Sequence, residues 1–305
     1  MKHVILLHYY CEAEVSRYLR IAEFLREYGR CSAEYEFLLL AASCISPSQV
    51  LQDAFSKIAP AKTFHCRKTR DGYWEGSAAA FWEGMEYVNK NYEKDGGFTF
   101  WLESDTLPVK KNWVDLLGLE WEKHPGILIM GLYVPWLIDP RMGCDVVLPH
   151  INGSACYAKD LDNLIPQSYK ASSTQPFDIS LSQYAIKAGK FHKSGQFVFT
   201  DQYKLCHNIQ DPRIVIVNGY RQNQDEFISK VSSLLKNPVM IKEEIKRVGQ
   251  LPADKKVCCK FWNPCVNLCM IHDCVRHPFK RILFLFDKIF LFKVFPILNM
   301  FRKRR

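Results

Sequence analysis

Three observations predict an α/β fold built on a mainly parallel, Rossmann-type sheet flanked by helices. Strand and helix patterns alternate from His3 to Tyr92, the order that covers a parallel sheet with crossover helices. Several of the strand patterns are near-continuous apolar runs, as strands buried on both faces must be. The third observation is the run Phe98–Leu102, aromatic and β-prone, which stops at the carboxylates of Glu103 and Asp105 before Pro108. Proline forbids further pairing, and the carboxyl edge of an open α/β sheet is where ligands bind.

His3–Tyr10 reads as the first strand. Val15–Tyr28 follows as a helix, with Val15, Leu19, Ala22 and Leu25 at helical spacing and Gly29 as its cap. Glu36–Ala42 is a second strand, and Ser46-Pro47 predicts the start of a helix running through Ile58, proline standing early, where its missing N–H costs nothing. A third strand over Ala61–Cys66 leads to the basic turn Arg67–Gly72. The next helix, from about Glu75 to Tyr92, carries Gly76, Ala79, Ala80 and Gly84 along its early turns. Small residues let a helix lie against a neighbouring backbone or a ligand, tight packing being the simpler account. Beyond the central strand, Lys111–His124 is amphipathic, with Trp113, Leu116, Leu117 and Trp121 on one face, and Gly126–Val134 is a near-continuous apolar strand.

The alternation weakens in the second half, which is the more irregular part of the chain. Pro135–Pro149 is loop-like, and His150–Leu161 combines a turn at Asn152-Gly153 with a short strand and a helix start. Gly153 can bring its backbone close to a ligand, although an ordinary turn also uses glycine. Phe177–Gly189 reads as a short helix with Asp178 at its N-cap. A carboxylate there is held by the helix terminus and can also act as a base aimed into a cleft. Phe197–Asp201 is a strand, with His207 just beyond it, and Asp225–Lys236 is a closing helix.

Charge and cysteine divide the chain at Asn237-Pro238, giving a body of 1–236 and a tail of 237–305. Residues 242–305 hold 15 Lys and Arg against 5 Asp and Glu, a net +10, while the whole chain is +9, so everything before is −1. A neutral body suits a small substrate and a basic tail suits an anionic surface. The amino terminus lacks a signal-peptide pattern, so a reducing, cytoplasmic setting is expected, with the twelve cysteines mostly free. Five of them crowd into residues 258–274 without paired Cys-x-x-Cys knuckles; thiols on an apolar neighbour fit that spacing better than zinc. Pro278–Phe301 is a Phe- and Leu-rich helix with a narrow polar stripe. No uncharged run in it approaches the roughly 20 residues that span a bilayer, so it is expected to lie in a membrane interface. No nucleic-acid motif accompanies it.

In order, these segments resemble a GT-A glycosyltransferase over roughly Met1–Asp211. The resemblance is carried by the βα half ending in a Gly- and Ala-containing helix, the strand closing on Leu102-Glu103-Ser104-Asp105, the His150–Gly153 turn, the Phe177-Asp178 helix and His207. It implies a nucleotide-sugar site lined by Glu103, Ser104, Asp105, His8, Gly76 and Gly153. Mn²⁺ or Mg²⁺ would be held by Asp105, Glu103 and His207, and Asp178 would be the base that deprotonates an acceptor hydroxyl. Glu103 replaces the first aspartate of the family's usual Asp-x-Asp. The implied activity is metal-dependent, inverting transfer of a sugar to a glycan or lipid-linked acceptor, at a membrane surface that the tail holds peripherally. The alternatives are a sugar nucleotidyltransferase, whose Gly-rich amino-terminal signature is missing, and a membrane-associated adaptor that keeps the fold without catalysis.

Overall fold

The structure is a computed structural model and describes residues 1–67, 73–135, 137–139, 145–170, 176–200, 204–219, 224–237, 239–240 and 243. The cysteine cluster, the amphipathic segment Pro278–Phe301 and the expected membrane contact lie outside these residues. Among the described residues no helix is long and apolar enough to cross a membrane.

The chain begins β1 (Lys2–Tyr9), α1 (Glu12–Tyr28), β2 (Glu34–Ala41), α2 (Gln49–Ser56), β3 (Ala61–His65), α3 (Tyr73–Asn91) and β4 (Phe98–Trp101). It continues with β5 (Thr106–Pro108), α4 (Trp113–Glu122), β6 (Ile129–Gly131), β7 (Tyr133–Val134), β8 (Leu137–Asp139), β9 (Asp145–Val147), β10 (His150–Ile151) and β11 (Cys156–Ala158). The remaining elements are α5 (Leu161–Leu164), α6 (Gln167–Lys170), α7 (Phe177–Lys187), β12 (Phe191–Lys193), β13 (Phe197–Phe199), α8 (Leu205–Gln210), β14 (Ile216–Asn218) and α9 (Gln224–Lys236).

The main sheet has seven strands in the order β12-β6-β11-β4-β1-β2-β3. β3, β2, β1 and β4 run parallel, β11 is antiparallel to both its neighbours, and β12 is parallel to β6. The expected α/β fold with a mainly parallel sheet is therefore present. A smaller sheet, β13-β14-β5, stands beside the site. β1 is paired on both sides, and its last seven residues are buried. Under the sheet, Phe81 of α3 stacks on Phe177 of α7 with ring centroids 4.0 Å apart, and both rings pack edge-on to Trp101. Burying one such ring stabilises the fold by about 1.5–3 kcal/mol, so this cluster fixes α7, and with it Asp178, against the strands.

Five local expectations are corrected. Pro108 does not end strand pairing: Thr106–Pro108 forms β5, which pairs with β14 as the edge of the smaller sheet, a place where proline is tolerated. Helix α2 begins at Gln49, because the Ser48 hydroxyl accepts the Leu51 N–H and takes the cap that Ser46-Pro47 suggested. The run Gly126–Val134 is split: β6 belongs to the main sheet and β7 pairs with β10. The crossing occurs at Gly131, where a Cβ would come within 2.8 Å of Ala155 and Ile151 side chains, so only glycine lets the segments pass so closely. Part of the expected loop before Pro149 forms the hairpin β8-β9. Pro176, not Asp178, is the N-cap of α7, and Asp178 sits inside the first turn.

Candidate active site

In the strand order 3-2-1-4 the winding reverses between β1 and β4, and the crevice outside their carboxyl ends is where such a sheet takes a ligand. β1 delivers His8 to that edge and β4 delivers Glu103-Ser104-Asp105. Gly76 is buried in the first turn of α3, at the same edge because α3 follows β3.

His8 is 8 % exposed, with its ring stacked on Trp101 at 6.0 Å. Burial lowers its pKa from 6.5 to about 4, so the ring is neutral at neutral pH. Its Nε2 is buried and makes no hydrogen bond. An unmet buried polar atom costs about 1–3 kcal/mol, a cost that a polar ligand group in the crevice would remove.

The acidic turn is held through its backbone. Thr106 N–H donates to the Glu103 carbonyl at 3.0 Å, Gly219 N–H to the Asp105 carbonyl at 2.7 Å, and the Tyr18 hydroxyl to the Leu102 carbonyl at 3.0 Å. The Tyr18 phenol is pushed well above its ordinary pKa by burial and then by the charges of Glu14, Glu103 and Asp105, so it stays a donor. Asp105 is 4 % exposed and Glu103 half-buried.

A directional chain aims Glu103. The Ser154 hydroxyl donates to Glu103 Oε2 at 2.7 Å. With its single proton spent there, Ser154 accepts from the Thr106 hydroxyl at 2.8 Å, and Thr106 in turn accepts from the Asn218 amide at 3.2 Å. The same Asn218 amide also reaches Asn152 Oδ1 at 3.4 Å, and that oxygen accepts from Ser154 N–H at 3.2 Å.

Asp178 comes to the same place from α7. A Cβ on Gly153 would lie 3.3 Å from Glu103 Oε1, 3.5 Å from Phe177 Cζ and 3.7 Å from Asp178 Oδ2. The two carboxylate oxygens are therefore about 7 Å apart or less, the sum of the two distances. Asp178 Oδ1 accepts the Ile179 N–H at 3.0 Å, leaving Oδ2 as the atom nearer Gly153. Buried Tyr157 donates to the Gly153 carbonyl at 2.7 Å. Its phenol is pushed well up by burial and then by Asp178 and Glu103. Gly153→Ala is expected to leave folding nearly unchanged. It should weaken activity several-fold, since at 3.3 Å the Glu103 carboxylate must give by a few tenths of an ångström; steady-state kinetics beside a thermal melt checks this.

The structure thus brings together Glu103, Asp178, Gly153 and Ser154, with Asp105 and His8 on the adjoining turn and strand. His207 is exposed on α8, a helix where the sequence suggested a residue trailing a strand. Among the described residues, one group of three His, Cys, Asp or Glu offers ligand atoms within 4.8 Å of one another: Glu120, His124 and His192. Glu103, Asp105 and His207 do not form such a group. A divalent cation still fits the acidic turn chemically, because Glu103 and Asp105 offer hard carboxylate oxygens of the kind Mg²⁺ and Mn²⁺ prefer.

No family model and no curated protein matches this chain. Among solved structures, apo mouse xyloside xylosyltransferase 1 is 10% identical, with 73% of this chain and 99% of that one covered at a TM-score of 0.48. The galactosyltransferase LgtC in complex with donor and acceptor sugar analogues is 9% identical, with 83% and 99% covered at 0.47. S. aureus TarS is 10% identical, with 77% and 39% covered at 0.42. These likenesses are too distant to carry function, which has to rest on the site itself.

Proposed function

We propose that this chain is a glycosyltransferase of the GT-A kind. It would move a sugar from a nucleotide-sugar donor to a hydroxyl of a glycan or lipid-linked acceptor, with Mn²⁺ or Mg²⁺. The observation that supports this most is the convergence of Glu103 and Asp178 on Gly153, at the carboxyl edge of the switch-point strands. One carboxylate lies beside an acidic turn suited to a cation and the other approaches from the second half of the chain. That is the division between donor and acceptor that single-displacement transfer needs.

Glu103 and Asp105 would hold the cation, which when bound supplies stabilisation of the negative charge developing on the leaving diphosphate. The chain's own residues do the rest. Asn218, Thr106 and Ser154 keep Glu103 in one orientation, so little reorganisation is needed as charge develops. Asp178 Oδ2 accepts the proton of the attacking hydroxyl. Gly153, without a side chain, lets the reacting groups approach between the two carboxylates. A single base implies inversion at the anomeric carbon.

His8 Nε2 is proposed as a donor contact, its unmet hydrogen bond being made on binding. His8→Phe keeps a ring against Trp101 and deletes the orphaned nitrogen, so stability should rise by about 1 kcal/mol while donor KM rises roughly tenfold. Unfolding curves and donor titration read both; unchanged donor affinity would remove His8 from the site.

The test of the whole reading is a panel of nucleotide sugars assayed for hydrolysis and transfer with and without Mn²⁺. Turnover of at least one, with transfer to a hydroxyl, is expected. Formation of a nucleotide sugar from a sugar phosphate would point to a nucleotidyltransferase. Neither binding nor turnover across the panel would sink the enzyme reading.

A further inference from the structure

The corner of the sheet opposite the acidic turn holds the one cluster of metal-ligating side chains found among the described residues, Glu120, His124 and His192. β6 runs parallel to β4 with antiparallel β11 between them, and α4 hands the chain into the amino end of β6. Glu103 leaves the carboxyl end of β4. The cluster therefore sits at the other edge of the sheet from the proposed donor site.

Local structure explains the meeting. Glu120 and His124 are four residues apart, on one face of the end of α4, and His124 N–H donates to the Trp121 carbonyl at 3.0 Å, extending the turn beyond the last helical residue. Gly126, at φ +80°, then turns the chain, Leu128 N–H donates to the Lys190 carbonyl at 2.8 Å, and the β6–β12 ladder sets His192 opposite Met130. His192 Nε2 lies 3.0 Å from Glu120 Oε1, and His124 Nε2 lies 4.0 Å from the same oxygen. The two imidazoles stack with centroids 3.6 Å apart. All three side chains are partly buried and reach solvent, so an ion has a path in.

We propose that Glu120, His124 and His192 bind Zn²⁺, with water completing a tetrahedron, and that the ion clips α4 to the edge strand β12. Two imidazoles and a carboxylate form a nitrogen-rich ligand set that favours Zn²⁺ over Mg²⁺ or Mn²⁺. Zinc bonds of roughly 2.0–2.1 Å place tetrahedral ligand atoms about 3.3 Å apart. One pair is already closer than that and the others lie within 4.8 Å, so no pair has to close by more than about 1.5 Å to reach the tetrahedral spacing.

Without metal, His192 Nε2 stands at hydrogen-bond distance, 3.0 Å, from Glu120 Oε1; a neutral imidazole that takes the cation at Nε2 carries its single proton on Nδ1 instead. Two stacked imidazoles repel each other when both are protonated, whereas neutral rings on a shared cation do not. Glu120 supplies the carboxylate oxygen that both imidazoles face, at 3.0 Å from His192 Nε2 and 4.0 Å from His124 Nε2. Lys123 Nζ, 3.3 Å from Glu120 Oε2, opposes the cation but belongs to an exposed side chain free to turn into water. The clip has a use: among the described strands β12 pairs on one side only, with β6, and an edge held from one side is the first to fray.

The experiment titrates the metal-free full chain, its accessible thiols alkylated, with Zn²⁺ by calorimetry and with Co²⁺ by visible absorption. The expected result is saturable binding of about one Zn²⁺, a higher thermal midpoint, and tetrahedral Co²⁺ bands without thiolate charge transfer. His124→Gln and His192→Gln should each weaken binding roughly 10–100-fold, and Asp105→Ala should leave it unchanged. If His192→Gln fails to fold, His124→Gln, on a surface turn, still decides the matter. Absence of saturable binding, or equal affinity in His124→Gln, would overturn the proposal, whether or not the chain transfers sugar.

Discussion

Asp178→Asn is expected to lower sugar transfer roughly 10²–10⁴-fold while the protein folds and binds donor as before. Asparagine has the same shape, and its amide oxygen can still accept the Ile179 N–H that Asp178 Oδ1 now accepts. The fold loses only the favourable placing of a negative charge in the first turn of α7, about 0.3–1 kcal/mol. The proposed base is lost altogether. Because Asp178 is held by α7 and not by the acidic turn, donor KM should hardly move while kcat collapses, a split that single-turnover kinetics with bound donor would resolve. Transfer at near wild-type rate in this variant would reduce Asp178 to a first-turn acid of the helix.

Asp105→Ala should have the other large effect, on the donor side. Losing a carboxylate ligand beside the developing diphosphate charge is expected to cost roughly 10²–10³-fold in metal-stimulated turnover and to raise the Mn²⁺ concentration required. The turn itself should survive, because Gly219 N–H bonds the main-chain carbonyl of residue 105 and Thr106 N–H that of residue 103. Circular dichroism and a thermal melt would establish this, and Asp105→Asn, close in shape, separates charge from packing. If both variants keep wild-type Mn²⁺ dependence, the acidic turn does not hold the cation.

Much of the scaffold was legible in the amino-acid order because it depends on local periodicity. The apolar runs became β1, β2 and β4, the 3.6-residue stripes became α1, α3 and α4, and Glu103 and Asp105 stand at the end of a central strand as their spacing implied. What escaped depends on contacts between distant residues. Gly126–Val134 is apolar throughout, so nothing in it marks the switch of sheets at Gly131, which only the approach of Ala155 and Ile151 explains. The cap falls at Pro176, two residues before Asp178, within the ordinary slack of helix boundaries. Ser154, Thr106 and Asn218 are common polar residues whose importance arises from being gathered around one carboxylate, and their spacing carries no sign of it. Glu120 and His124 share a helical face that could have been noticed, but His192 joins them through strand pairing alone.

The bond from Asn218 to Thr106 spans 112 residues. It comes with the ladder that sets β14 against β5, in which Asn218 is paired directly with Thr106. The aim of Glu103 is therefore set in part from residue 218, through Thr106 and Ser154. This makes the two halves poor modules. A chimera that took the first 110 residues from this chain and the remainder from another would keep Glu103 and Asp105 and lose Ser154, the Asn218 amide and the Gly219 N–H that hold Glu103 and its turn. The smallest transplantable unit runs from β1 through β14, and any redesign of the acidic turn has to treat residues near Asn218 as part of its frame.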